Sequence, residues 1–429
     1  MTSSNLSNSS TPAPTSSLAR PGRRRFLGTS AATAATAAWA TGSALAQQPA
    51  GLQDGERHGG LRTVGVLLPD SSRYPTLSAE FMAGLEAGAQ ASRHAAPRWH
   101  PLPYGHSAHA AVRQARAAVE SGAVDALAGW LPMQSATELV PILEQRGIPL
   151  LASDTGADRL PVHRHAKSPL LIPHTLELWQ SSALMGREAV RRWGTRAVLC
   201  MGFLESGYDF PHEFRRAFEA AGGTIVAVHI SGLPGGVEEF AGLRSALHGA
   251  QADVAVALYS GQQALRFQQQ WSRLRPNARQ PVLGTPFTQG PAVASVDPLK
   301  GWASVASWDA RSDACQAIAA QCAARGASQS AGLSGPALLG FEAGQRFAEW
   351  QNRADSAQRL HALRGSEGDS PRGTRLRDPS SGESSGPHWL HAGPLQAGAT
   401  TQLSHAMSGS ALAQEAPGRS GWSSSYLVT

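Results

Sequence analysis

From Leu61 onward, short runs of β-branched or Leu-rich residues alternate with longer stretches of helical periodicity. The first series predicts a strand over Val64–Leu68, a helix over Ser78–Ala91, a strand over Val124–Leu127, a helix over Ala136–Arg146 and a strand over Ile148–Ala152. These strand runs are apolar throughout rather than alternating. That fits parallel strands covered on both faces, with the intervening helices as the cover. The pattern predicts a doubly wound α/β lobe.

A second series starts near Leu170. It predicts helices over Leu178–Trp193, Phe210–Ala221, Val237–His248 and Gln262–Leu274, and strands over Arg196–Met201, Thr224–His229, Val254–Tyr259 and Pro281–Gly284. Gly147 and the Gly222-Gly223 pair stand where helices must stop in a left-handed turn. Two further helices are expected at Ala314–Arg325 and Pro336–Arg353, the second interrupted by Gly340 and Gly344. Past Arg353 the chain turns polar and Gly/Ser-rich, with one small β element around Thr374–Leu390. Residues 396–429 are expected to form a disordered tail.

The length of 429 residues is too great for one ordinary core and suits two lobes, once a leader and tail are set aside. The leader is legible. Residues 1–22 are Ser/Thr/Asn/Pro-rich, then Arg23-Arg24-Arg25-Phe26-Leu27-Gly28 fits the twin-arginine pattern, an Ala/Thr-rich stretch runs to Trp39, and Ala44-Leu45-Ala46 is a small-x-small cleavage site. Residues 1–46 are therefore read as a twin-arginine signal peptide directing the chain to the periplasm. The stretch is too short and too weakly apolar to span a bilayer, which takes about 20 strongly apolar residues, and no membrane insertion is expected after cleavage.

Charge adds little. The formal net charge is +6, but the Arg are scattered apart from the Arg23–Arg25 run and Lys occurs only at Lys167 and Lys300. Without a basic stripe interleaved with aromatics, nucleic acid is not an expected partner. Cys200, Cys315 and Cys322 are an odd number without metal-ligand spacing. Cys315 and Cys322 stand seven positions apart in a helical stretch, about 10 Å at 1.5 Å per residue and beyond disulfide reach, so three free buried thiols are expected.

The catalytic motifs are missing as well: no G-x-S-x-G elbow, Walker A loop, H-E-x-x-H or G-x-G-x-x-G fingerprint occurs. Gly232-Leu233-Pro234-Gly235-Gly236 lacks the Lys-Ser/Thr that grips phosphate. The close His pairs, His106 with His109 and His163 with His165, have no acidic or Cys third ligand nearby, so they read as solvated surface groups rather than a metal site. No enzyme activity, metal or cofactor is expected.

Six segments, in order, resemble the leucine/isoleucine/valine and amide type of periplasmic solute-binding protein, called type I. Val64-Gly65-Val66-Leu67-Leu68-Pro69 with Phe81-Met82-Ala83-Gly84-Leu85-Glu86 looks like the family's first strand and helix; Val124-Asp125-Ala126-Leu127-Ala128-Gly129 and Gly147-Ile148-Pro149-Leu150 look like the next markers. Gly207-Tyr208-Asp209-Phe210, Gly340-Phe341-Glu342-Ala343-Gly344, and Pro371-Arg372-Gly373 with Asp378-Pro379 are similar to the later ones.

The resemblance implies a two-lobed Venus-flytrap fold with three crossovers, near Pro173, Ser304–Asp309 and Gly373. Lobe 1 is expected over 60–172 plus 307–372, and lobe 2 over 173–306 plus 373–395. The implied function is the periplasmic substrate-binding component of an ABC importer. It would act as a monomer, closing on a small polar solute such as an amino acid, amide or small organic acid and passing it to an inner-membrane permease. A ligand-sensing subunit for a membrane receptor shares every pocket feature, and an enzyme built on the same lobes would need a pair of reacting groups in the cleft.

The implied pocket lies at the carboxyl ends of the strands. The loop carrying Trp130, Gln134 and Ser135 leads into a helix N-terminus whose free N–H groups suit a carboxylate, although Ser135 caps a helix whatever the ligand. Asp154 and Thr155 follow the next strand, where Asp154 either pairs with a ligand ammonium or caps the turn. Tyr208 and Tyr259 fall where the family presses aromatic rings onto ligand; the alternative for each is a packed rim residue. Trp130 and Trp308 are candidates for stacking or for packing. The family's acidic partner for an α-ammonium would fall around Thr285-Pro286-Phe287, where no carboxylate stands, so a plain branched-chain amino acid is not implied.

Overall fold

Fully buried apolar strands and amphipathic helices organise the chain into two layered sheets. The computed structural model describes residues 60–159, 168–232, 240, 242–249, 251–274, 280–289, 302–327, 332–365, 370–377, 384–393, 399–403, 422 and 425–428, all within one unit, His58–Thr429. The signal-peptide reading and the His163/His165 pair lie outside the described residues.

The first sheet receives β1 (Thr63–Pro69), then α1 (Leu77–Ala91), β2 (Arg98–Gly105), α2 (Ala108–Glu120), β3 (Ala126–Trp130), α3 (Met133–Ala136), α4 (Val140–Arg146), β4 (Leu150–Asp154) and β5 (Leu171–Thr175). Its order is β2-β1-β3-β4-β5, all parallel. Both edge strands carry proline, Pro101 and Pro103 in β2 and Pro173 in β5. An edge tolerates the missing N–H that a central strand does not, and those prolines are why β2 escapes a reading by propensity. The single helix expected over Ala136–Arg146 is instead α3, a 3₁₀ turn and α4. Pro141 has no N–H for an i−4 bond, so a new helix starts around it.

The chain then builds α5 (Leu178–Arg192), β6 (Arg196–Gly202), α6 (Asp209–Ala220), β7 (Thr224–Ser231), α7 (Leu243–Gly249), β8 (Val254–Leu258), α8 (Gly261–Leu274), β9 (Val282–Gly284) and β10 (Trp302–Ala306). It returns to the first layer with α9 (Asp313–Ala323), α10 (Gly335–Gln351) and α11 (Ser356–Arg364). A two-stranded ribbon of β11 (Leu376–Arg377) and β12 (Ser384–Ser385) follows, and β13 (His388–Ala392) and β14 (Ala399–Leu403) close the second sheet. That sheet runs β14-β13-β10-β9-β8-β6-β7, with β13 and β14 antiparallel and the rest parallel. The chain thus passes between the layers three times: after β5, after β10 and between α11 and β13.

Alternation along β6 shows why the second sheet is covered on both sides. Ala197, Leu199 and Met201 enter the main core with Phe210, Phe214 and Phe218 of α6. Val198 and Cys200 enter a second core with Leu243, Phe267 and Trp271 of α7 and α8. In the first layer α1 and α10 touch backbone to backbone: a Cβ on Gly88 would lie 2.0 Å from the Phe341 carbonyl oxygen, and one on Gly340 would lie 2.1 Å from that of Phe81. The glycines that interrupt the predicted helix are therefore its contact surface.

Two described stretches within 396–429 depart from expectation. Ala399–Leu403 pairs with β13 along its length, and Tyr426, Leu427 and Val428 are buried. Register with a neighbouring strand and the burial of an apolar triplet outweigh the polar composition around them. All three cysteines are free and buried, as the spacing implied.

Candidate functional site

The two layers meet where their strands end. After β1, the Arg73 guanidinium reaches across to Glu205, behind β6, with Nη1 2.5 Å from Oε1, and to Ser260, behind β8, at 3.3 Å. Ser260 Oγ also donates to Glu205 Oε1 at 2.9 Å. Gly261 has φ 54, and a Cβ there would sit 2.1 Å from the Arg73 carbonyl oxygen, so the close approach itself requires glycine. Burial pushes the Glu205 carboxyl up, while Arg73 beside it pulls it down.

A second seam joins the loop after β4 to the start of α6. Arg159 N–H donates to Asp209 Oδ2 at 2.9 Å, Asp209 N–H to Asp158 Oδ1 at 3.1 Å, and Phe210 N–H to the Ala157 carbonyl at 2.9 Å. The Arg159 guanidinium lies 3.3 Å from Glu213 and over the Trp179 ring at 5.4 Å. Between the seams, Tyr208, Phe210 and Phe287 present buried rings. The structure thus holds the two lobes closed on one another, with a packed aromatic cluster at the cleft position bordered by a bridging Arg–Glu–Ser cluster.

Behind the cleft, where the chain crosses between layers, Arg372 is fully buried. It donates from Nε and Nη2 to the two Glu342 oxygens at 2.9 and 2.7 Å, and from Nη1 to the Thr175 carbonyl at 2.8 Å. Burial pushes the His174 imidazole down to about 3; the neutral ring donates from Nε2 to Glu342 at 2.9 Å and meets Ser153 Oγ at 2.9 Å through Nδ1. Glu342 belongs to the Gly340–Gly344 segment and Arg372 to the Pro371–Gly373 segment, so two of the sequence markers form one ionic joint.

Residues 63–384 match the family described as periplasmic binding protein, which is most of the chain. The chain belongs to the periplasmic binding protein family. Leu/Ile/Val-binding protein homolog 6 of Brucella abortus is 24% identical over 169 residues, which are 38% of this chain and 42% of the relative; the match thus spans less than half of that relative's length. Among solved structures, an ABC transporter substrate-binding protein from Sphaerobacter thermophilus superposes with a TM-score of 0.65 at 21% identity, covering 80% of this chain and 96% of the other. A solute-binding protein from R. palustris in complex with benzoate gives 0.61 at 20% identity, covering 80% and 96%. The branched-chain amino acid transporter substrate-binding protein of Streptococcus pneumoniae, in complex with isoleucine, gives 0.62 at 13% identity, covering 80% and 99%. The two-lobed α/β fold is that of type I periplasmic binding proteins. The family and these neighbours are solute-binding proteins, not enzymes, and the family implies a periplasmic location.

Within this binding-protein frame the expected pocket residues separate. Tyr208 lies in the cleft, its ring 5.3 Å from that of Tyr426 and 6.5 Å from that of Phe210. Its phenol is pushed up by burial and by the charges of Asp158, Glu205 and Asp154, despite Arg73. Ser135 and Thr155 are buried on the adjoining first-lobe loops, whereas Gln134 is exposed.

Asp154 takes the capping alternative: Oδ1 accepts from Gly156 N–H at 2.6 Å, and the carboxylate is also held by the Met133 backbone N–H. The helix start reserved for a ligand carboxylate is therefore occupied by the protein's own. Burial pushes Asp154 up to about 6 against those two bonds.

Tyr259 does not join Tyr208. Its ring stacks on Phe267 at 4.6 Å within the second core, and its hydroxyl meets Ser231 Oγ at 2.9 Å. The strand it follows alternates, and position 259 faces α7 and α8. Trp130 is fully buried and packs edge-on against Phe81 at 6.1 Å, and Trp308 is buried with its carbonyl accepting from His391 Nε2 at 3.2 Å. Both are packing residues here.

The sequence reading missed Arg73, Glu205, Ser260 and Tyr426, and named Phe287 only as part of a pocket position without a carboxylate. Glu205 stands two residues before the Gly207-Tyr208 segment and could have been found by extending that loop; Tyr426 carried no signal. Among the described residues no group of three or more His, Cys, Asp or Glu is placed to hold a metal ion, and no helix is long and apolar enough to cross a membrane.

Proposed function

We propose that this protein is the substrate-binding component of an ABC importer, exported through its twin-arginine leader and delivering a small polar solute to an inner-membrane permease. The observation that carries the reading is the cleft itself: opposed strand ends, bridged by Arg73 to Glu205 and Ser260 and lined by Tyr208, Phe210 and Phe287. A few convergent polar groups against apolar rings are what a small-molecule site needs. Lobe 1 is assigned to 60–172 plus 307–372 and lobe 2 to 173–306 plus 373–395, with β5 running past the first boundary to Thr175 and β14 extending the second lobe's sheet. Ser135, Thr155 and Tyr208 are the pocket residues retained from the sequence, joined by Arg73 and Glu205. Solved relatives in complex with benzoate, 4-hydroxybenzoate and isoleucine support a small carboxylic acid with an apolar portion as the solute class.

The test is a thermal-shift and calorimetric screen of the purified protein against benzoates, branched-chain amino acids and amides. A ligand at 100 times its Kd stabilises by about 2.7 kcal/mol, a readily measured rise in Tm that Arg73→Ala should abolish. A screen in which no compound moves Tm at millimolar concentration sinks the reading. Uptake of the hit should stop when Arg23 and Arg24 are both changed to Lys, with precursor retained in the cytoplasm.

A further inference from the structure

The closed cleft has an occupant that belongs to the chain. Tyr426 is 2% exposed, with its ring centroid 5.3 Å from Tyr208, 5.1 Å from Phe210 and 5.8 Å from Phe287. Its hydroxyl lies 3.4 Å from Glu205 Oε1, the same oxygen that Arg73 and Ser260 engage. Beside it, the Leu427 carbonyl accepts from Ser71 Oγ in the loop after β1, so the segment touches both lobes. Leu427 has φ 78, a left-handed conformation that a branched side chain holds only where its surroundings impose it.

Trp422 anchors the segment from outside. Its indole N–H donates to the Leu204 carbonyl at 2.8 Å, and its ring meets Phe203 edge-on at 5.9 Å. The indole rests where a Cβ on Gly207 would be, 1.8 Å from that position, so the glycine before Tyr208 makes room for it.

We propose that Tyr426 marks a phenol-binding subsite of the cleft, and that the segment carrying it is a tethered competitor which a phenol-bearing solute must displace. The inference rests on the solute-binding reading above and adds its regulation. An aromatic ring inside three others, with the hydroxyl at an acceptor already flanked by a guanidinium and an alcohol, is the recognition that a free phenol would receive. A site whose own chain fills it binds external ligand with affinity reduced by the fraction of time it stands empty.

The experiment compares the full chain with its Tyr426→Ala and Trp422→Ala variants, using 4-hydroxybenzoate as probe in isothermal titration. If the segment leaves the cleft about one tenth of the time, both variants bind the probe roughly tenfold more tightly than the full chain. Equal affinity in all three overturns the proposal. A peptide of residues 422–429 added to the Tyr426→Ala protein should raise its Tm and weaken the probe competitively, while the same peptide with Ala in place of the tyrosine should do neither; an inert parent peptide also overturns it. These arms separate the two readings. A variant that takes the peptide but no solute in the wider screen ends the importer reading and the competitor role with it. Solute binding that ignores the segment overturns the competitor role alone and leaves the importer reading standing.

Discussion

Arg372→Met removes the centre of the joint behind the cleft while keeping most of the side chain's volume. The wild-type guanidinium satisfies both Glu342 oxygens, the Thr175 carbonyl and, at 3.2 Å, Ser307 Oγ, and none of its side chain is exposed. Methionine leaves the Glu342 carboxylate buried, with His174 at 2.9 Å and Ser370 at 2.5 Å as its remaining hydrogen-bond donors among the described residues, and with Arg346 as a nearby charge. Removing one partner of a buried pair costs about 3–5 kcal/mol.

The pH dependence gives a second handle. Burial alone would push Glu342 up, but Arg372 and the His174 hydrogen bond hold it well below the usual carboxylate value. A carboxyl depressed in the fold contributes stability that is present above its unfolded value of about 4.5 and is lost as pH falls through the folded one. In Arg372→Met that contribution disappears, so the stability gap should be full above about pH 4.5 and narrow as pH falls below it. Urea denaturation followed by tryptophan fluorescence, from about pH 2.5 to 7, measures it. A loss below about 1 kcal/mol at pH 7, the scale of an exposed pair, or a gap that does not change with pH, would refute the reasoning.

Gly88→Ala should destabilise by about 1–3 kcal/mol, because α1 and α10 must separate to admit the methyl; Gly249→Ala, where nothing lies within 4 Å, should be neutral or stabilising in the same thermal melt. Asp154→Asn should flatten the stability profile between pH 4 and 6: the carboxyl raised to about 6 favours the fold when protonated, and that contribution is lost as pH rises through the window. An unaltered slope would show that the carboxylate is better solvated than its surroundings indicate. Burial pushes Cys200 up to about 12 and Cys322 up to about 11, so a disulfide reagent at pH 8 should leave the native thiols unmodified and titrate all 3 cysteines only after denaturation. Rapid native labelling would contradict the packing of the cores.

Hydrophobic periodicity by itself determined the lobes. Uninterrupted apolar strands such as Val254–Leu258 can be buried only between two helical layers, and local runs of that kind need no knowledge of the partner. The markers from Val64 to Gly373 named the family for the same reason, since each is a local loop or helix entry. What tertiary structure decided depends on separation in sequence. Arg73 finds Glu205 across 132 positions, and Tyr426 finds the same carboxylate across 221; no local pattern encodes either meeting. Tyr208 and Tyr259 look alike in the chain, yet one faces the cleft and the other the second core, because the side a residue takes at a strand's end follows from the register and twist of the whole sheet. Asp154 could meet a ligand or cap the turn, and its bonds to the Gly156 and Met133 N–H groups, the second from a separate loop, are visible only in the fold. Within the stretch read as unstructured from its composition, Ala399–Leu403 is held by ladder pairing with β13, with only Leu403 buried, and Tyr426–Val428 by burial among aromatic rings, neither of which a polar composition reveals.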